Sequence, residues 1–339
     1  TGPPHDGVPE RLGEERLALP TKLRECAAFL QSDNADQVEA ALFALPSVVE
    51  GSQHLSGEGC AELAGQVLRL QDTIAMHDFA GRRFKSLVAL AIADPPHVAA
   101  RLARAVWDKN EGLANKLDAL DVLSHASARL ARVDVEDAPS DPKSGSGSGR
   151  GPLNYSDLKD RAAARDAARD VPGAGKTRRW SYKSERSAAV ARANDFSPLA
   201  ERFFFPLLTG WDRESSARLL GGDFLLLGKL LITLAVMVRC AGPSSPALPV
   251  VAKALLEATA SPSVRFHEQP FVRRAAAFAV LQVLATVPAH LLDLHFSDNL
   301  PSLQEWVGQG AREDGDTEAA RLAAMCLFLL VQHAEGEGA

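Results

Sequence analysis

The stretch from Phe203 to Gly242 constrains this chain more than any other. It opens on three consecutive phenylalanines, Phe203, Phe204 and Phe205, and contains the longest apolar run, Phe224 to Val238. A helix that is apolar on nearly every side must be covered by other helices. Lys229 interrupts the run and Arg239 closes it, leaving fewer than the roughly 20 residues a membrane span needs. The stretch therefore predicts a central core helix, with the phenylalanines, Leu226 and Leu231 in the core and no membrane element.

The remainder of the chain supplies cover of the right kind. Alanine and leucine dominate and there are only two tyrosines, a bias toward helix and away from sheet. Apolar residues recur at helical spacing from Leu23, then from Val38 to Val49, with Ser32-Asp33-Asn34 as the turn between two helices. A third helix follows Ser56, a fourth runs from about Asp78 to Ala93, and Asp94-Pro95 begins a fifth with proline at its first position. The sixth, Leu113 to Leu130, closes three hairpins of about 40 residues each, the length of a HEAT-type repeat. Ser197-Pro198, Ser245-Pro246 and a capping box of Ser302 with Glu305 predict further helix starts. Helices over Gln269–Val287 and Thr317–Gln332 end the chain. The expected fold is all-α, a HEAT-like α-solenoid of antiparallel helix pairs interrupted by a long flexible insertion. Its parts are a disordered lead-in at 1–20, a first helical half at 21–132, a linker at 133–195 and a second helical half at 196–335.

The linker holds SGSGSG at Ser144–Gly149, flexible by composition, then a charged, alanine-rich helix over Ser156–Asp170. GAGKT at 173–177 invites a phosphate-loop reading, but Asp170 stands where that motif needs glycine, and a charged helix replaces the required strand. Charge says more. Residues 156–193 carry ten Lys/Arg against five Asp/Glu, in a protein of net charge −6. Lys176, Arg178, Arg179, Trp180, Lys183 and Arg186 thus form a basic strip on an acidic chain. Such a strip can dock an acidic protein face, its own included, or bind nucleic acid. A nucleic-acid role predicts affinity falling steeply with salt, with a slope of about −0.9 per phosphate contact.

No constellation for catalysis is present: the sequence shows no nucleophile, base and ligand set in motif spacing. His290, Asp293, His295 and Asp298 come nearest to a metal cluster, yet the five-residue step to His295 turns it off the shared face, so they read as exposed helix-end groups. The four cysteines, Cys26, Cys60, Cys240 and Cys326, each sit in an apolar helical pattern and read as buried thiols of a reducing compartment. Neither a metal nor a cofactor is expected. Stacked helix pairs without chemistry predict a protein that presents surface to other proteins.

Several motifs, in their order, resemble one family. FAGRRFKSLVALAIADPPHVAARL (79–102), KLDALDVLSHASARLA (116–131), GKTRRWS (175–181), FFFPLL (203–208), LLGGDFLLLGKLLITLAVMVRCAG (219–242) and VRFHEQPFVRRAAAFAVLQVL (264–284) are similar to the C-terminal conserved region of the telomere length regulation protein Tel-two family. The similarity spans about residues 22–290. It implies a helical-repeat, non-catalytic scaffold and co-chaperone subunit. Implied partners are Tel-two-interacting proteins one and two, heat-shock protein 90 with its RuvB-like adaptor, and phosphatidylinositol-3-kinase-related kinases as clients. Implied places of work are cytoplasm and nucleus. The family's acidic, phosphorylated serine motif, which recruits the adaptor, is missing from this sequence. Since the chain starts at Thr1 without methionine, that motif is expected upstream, in a longer protein.

Overall fold

A computed structural model describes residues 18–52, 57–72, 78–133, 194–211 and 223–336. Among them there are helices and no strands: α1 (Leu23–Leu30), α2 (Ala35–Gly51), α3 (Gly57–Arg69), α4 (Phe79–Ala93), α5 (Pro95–Trp107) and α6 (Leu113–Ala131) come first. A 3-10 turn at Ser197–Leu199 leads into α7 (Ala200–Trp211), α8 (Phe224–Ala241), α9 (Leu248–Ala260) and the short α10 (Pro262–Arg265). Then follow α11 (Pro270–Thr286), α12 (Ala289–Phe296), α13 (Leu300–Glu313) and α14 (Thr317–Gly336). The chain divides into two compact units, at Leu102 and Ala103.

In the N-terminal unit, Asn34 starts α2 by accepting the Asp36 N–H at 2.9 Å. Pro46 sits inside α2 and has no N–H to give to the carbonyl of Leu42. The buried hydroxyl of Ser86, on α4, donates to that carbonyl instead, at 3.2 Å. One helix thus repairs the ladder of the other. Glu39 pairs with Arg82 one turn earlier on both helices, so α2 and α4 run in the same direction. Their starts, residues 35 and 79, lie 44 residues apart. A return helix must fit between them, and α3, packed on α4, is that helix. This is the repeat geometry that the hairpin lengths predict.

The C-terminal unit is organised around α8. Every residue from Leu226 to Ala241 is buried except Lys229 and Arg239, which are partly so. By length and composition α8 is the one single helix among the described residues that could cross a membrane, and 78% of it is buried inside the fold. Helix α6 covers one side, where Lys229 Nζ meets Asp121 Oδ1 at 2.6 Å. The charge that interrupts the apolar run is therefore paired, as a mostly buried cation has to be. Helix α11 covers the other side, so closely that a Cβ on Gly228 would lie 2.4 Å from Phe271 Cε1. Gly228 and Phe271 both lie near the starts of their helices, so α8 and α11 run the same way. Helix α14 continues the row: Arg273 and Arg274 on the first turn of α11 reach Asp314 and Asp316, just before α14. The three helices start at residues 224, 270 and 317, which are 46 and 47 residues apart. The intervening helices bring the chain back. The architecture is all-α and of the helical-repeat kind.

One side chain joins the far edge of the insertion to α8. Asn194 donates to the carbonyls of Cys240 and Ala241 at 2.7 and 3.1 Å, ending α8. Its own carbonyl oxygen accepts the N–H groups of Phe196 and Ser197 at 2.9 and 3.2 Å, starting the 3-10 turn. Arg132, at the end of α6, meets Asp195 at 3.1 Å, so the two borders of the insertion touch.

Several expectations need correcting. The sixth helix, assigned to the first helical half, falls in the second unit and packs on α8. Phe203 and Phe204 are fully buried, with Phe203 edge-on to Phe196 at 5.3 Å, but Phe205 is only half-buried. The reason is that all three lie within a continuous helix, where consecutive side chains point 100° apart and cannot share one face. The capping box at Ser302 does not form. Helix α13 already begins at Leu300, and the Ser302 hydroxyl accepts from Arg265 at 3.2 Å. The helical segment does begin at Ser197-Pro198, but the side chain that caps it is that of Asn194, not Ser197. Ser245 precedes α9 by three residues, its hydroxyl donating to Ser197 O at 3.4 Å. The charged helix and the Gly/Ser tract lie outside the described residues.

Candidate protein-binding groove

Lys176, Arg178, Arg179, Trp180, Lys183 and Arg186 also lie outside the described residues. Of the histidine and aspartate group, Asp293 Oδ1 pairs with His333 Nε2 on α14 at 2.8 Å, and among the described residues no three His, Cys, Asp or Glu side chains converge as metal ligands. Burial raises all four cysteine thiols, Cys26 to about 11 and Cys240 to about 12. At neutral pH they are thiols, packed as small apolar groups.

The concave site lies on the C-terminal unit, where the loop after α10 meets α11, α13 and α14. It encloses about 320 Å³. Its walls rest on two parallel arginine–carboxylate forks. Arg273 donates through Nε and Nη2 to Asp314 at 2.8 Å each, and through Nη1 to the carbonyls of His267 and Glu268. Arg274 donates through Nε and Nη2 to Asp316 at 2.7 and 2.6 Å. Asp316 also accepts the Ala319 N–H, so the same carboxylate caps α14. Bidentate, part-buried pairs of this kind fix geometry as well as charge. Their arginine partners hold both carboxyls below the ordinary range. Adjacent arginines on a helix whose other residues from Phe271 to Leu284 are all buried, with Asp-x-Asp before a later helix start, mark these forks in the sequence.

On the groove's other flank the Arg265 guanidinium lies 5.1 Å from the Trp306 ring centre and donates to Thr259 O and Ser302 Oγ. Inside are the buried Ala277, Ala319 and Ala323, with Gly310 letting α13 approach α14. At the mouth are the exposed Phe266, Glu268, Gln309 and Glu313. This arrangement can hold a side chain and a short piece of backbone; the groups that line it make no nucleophile–base pair.

Fold and groove together define a helical-repeat protein with a peptide-sized recess on one unit. Residues 20–127 match the telomere length regulation protein family. The telomere length regulation protein TEL2 homolog of Xenopus laevis is 30% identical over 319 residues, covering 93% of this chain. The TEL2 homolog of Homo sapiens is 32% identical over 328 residues and covers 92%. The chain belongs to the telomere length regulation protein family. It spans 38% and 37% of the length of those two relatives. Among solved structures, a designed armadillo repeat protein aligns over 91% of this chain and 99% of its own at 13% identity, with a TM-score of 0.34, a likeness that carries no argument.

Proposed function

We propose that this chain is a non-catalytic scaffold and co-chaperone subunit that binds Tel-two-interacting proteins. In that complex it supports the maturation of phosphatidylinositol-3-kinase-related kinases with heat-shock protein 90 and its RuvB-like adaptor, in cytoplasm and nucleus. The observation that carries this reading is the relationship to telomere length regulation relatives, sustained over 92–93% of the chain. Parallel rows of helices with return helices between them favour it physically, because such rows expose long ridged faces to other proteins. The test is co-expression with the first Tel-two-interacting protein. The two chains are expected to co-elute on size exclusion at micromolar concentration, and clean separation would count against the reading.

A further inference from the structure

We infer that the groove between the α10–α11 loop, α13 and α14 is a docking site for a basic linear segment of a partner protein, one that carries an apolar or aromatic side chain between Lys/Arg residues. The cations that line the groove are all engaged inward: Arg273 by Asp314 and two carbonyls, Arg265 by Trp306, Ser302 and Thr259 O. The exposed carboxylates are not so engaged. Glu268 has no side-chain ion pair among the described residues, and Glu313 accepts only from Gln309, at 2.9 Å. The nearest exposed cation in sequence, Arg312, lies against Gly308, outside the groove lining. What faces an arriving ligand is therefore negative at the rim and apolar within.

The interior sets the second requirement. Buried alanines leave a shallow apolar bed, and Phe266, 59% exposed, stands at its edge as an uncovered aromatic surface. About 320 Å³ is room for one large side chain and its flanking backbone. The Arg273 and Arg274 forks hold three helices in register around it, so the recess is formed before a ligand arrives and little order is lost on docking. Rim charges of this sort steer encounter and select sign, while the central apolar contact holds the complex.

The inference deepens the scaffold reading and rests on it for the source of the segment. It is tested on the purified chain alone, so failure here leaves the co-elution result untouched. The probe is a fluorescent dodecapeptide with four Lys/Arg around one central Phe, followed by anisotropy. The account expects saturable binding that weakens at least tenfold in the Glu268→Lys/Glu313→Lys double variant, with unchanged thermal melting. A peptide with Ser in place of Phe is expected to bind at least fivefold more weakly. No binding at 1 mM, or equal binding by the double variant, overturns the inference. So does binding that emerges only after removal of residues 172–187, which assigns the groove to the chain's own basic segment. A doubled molar mass that the double variant returns to that of one chain assigns it to a second copy, and likewise overturns it.

Discussion

Helices α8 and α14 belong to one parallel row, yet they are covered differently. Helix α8 has α6 on one side and α11 on the other, and no residue after Leu225 is exposed. Helix α14 buries one stripe, Ala319, Leu322, Ala323, Cys326 and Leu330, while Ala324, Phe328 and Val331 stay exposed. Both are rich in apolar residues, so apolar content does not separate them. Place in the row does. A helix between two neighbours needs every face apolar, close-approach glycines such as Gly228, and a partner for any charge it keeps. A helix covered on one side only, as α14 is by α11 and α13, needs a single stripe.

Substitutions on the two helices test this contrast. The largest effect is expected from Leu231→Asp or Leu226→Asp. An unpaired carboxylate buried in α8 costs several kcal/mol, a large share of the roughly 5–15 kcal/mol that holds a domain folded. Soluble expression is expected to disappear; normal melting in either variant would contradict an all-round buried α8. Gly228→Ala comes next. Its methyl would collide with the Phe271 ring, and overpacking of this kind costs about 1–3 kcal/mol, measured as a lowered urea midpoint. Ser86→Ala carries the contrast to the N-terminal unit. It leaves the carbonyl of Leu42, already deprived by Pro46, without a donor, for about 1–2 kcal/mol in the same measurement.

A smaller effect is expected from acid. The carboxyls of Asp314 and Asp316 lie below their ordinary range, first because of their bonds to Arg273 and Arg274. A depressed carboxyl in the folded state means that the unfolded chain binds more protons in acid. The stability these groups add is therefore complete above the ordinary carboxylate pKa, about 4, and is lost as pH falls through the folded values. Melting temperature should hold from pH 7 to 5 and fall below about pH 4, less steeply in an Asp314→Asn/Asp316→Asn variant. An equal slope in that variant would remove the forks from the account. The smallest effect is expected from Phe328→Ser on the outer face of α14, where exposed positions change stability by less than about 0.5 kcal/mol. A loss like that of Leu231→Asp would show that α14 is covered as α8 is.

Much of this fold was legible because helical periodicity reports directly on burial. The course of α8, the turn at Asn34 and the proline start of α5 all follow from local pattern. What the pattern missed depends on residues far apart in sequence. Helical spacing runs through Pro46, but the donor that satisfies the Leu42 carbonyl there is Ser86, 40 residues on. Asn194 is an ordinary polar residue until it meets the end of α8. The Phe203–Phe205 run reads as uniform core, although helical geometry turns one of its rings toward the surface. The groove has the same character. Its parts come from residues 265–277 and 306–323, and the Arg273-Arg274 and Asp314-x-Asp316 pairs point to it only when taken together.

Amide hydrogen exchange tests the central contrast most directly. In the chain purified without detergent, the amides of 224–241 are predicted to exchange slowest of the described helices, through global unfolding alone, with 270–286 close behind and 317–336 clearly faster. Protection of 224–241 no greater than that of 317–336, or a chain that stays in solution only with detergent, would contradict α8 as the covered centre of a helical row.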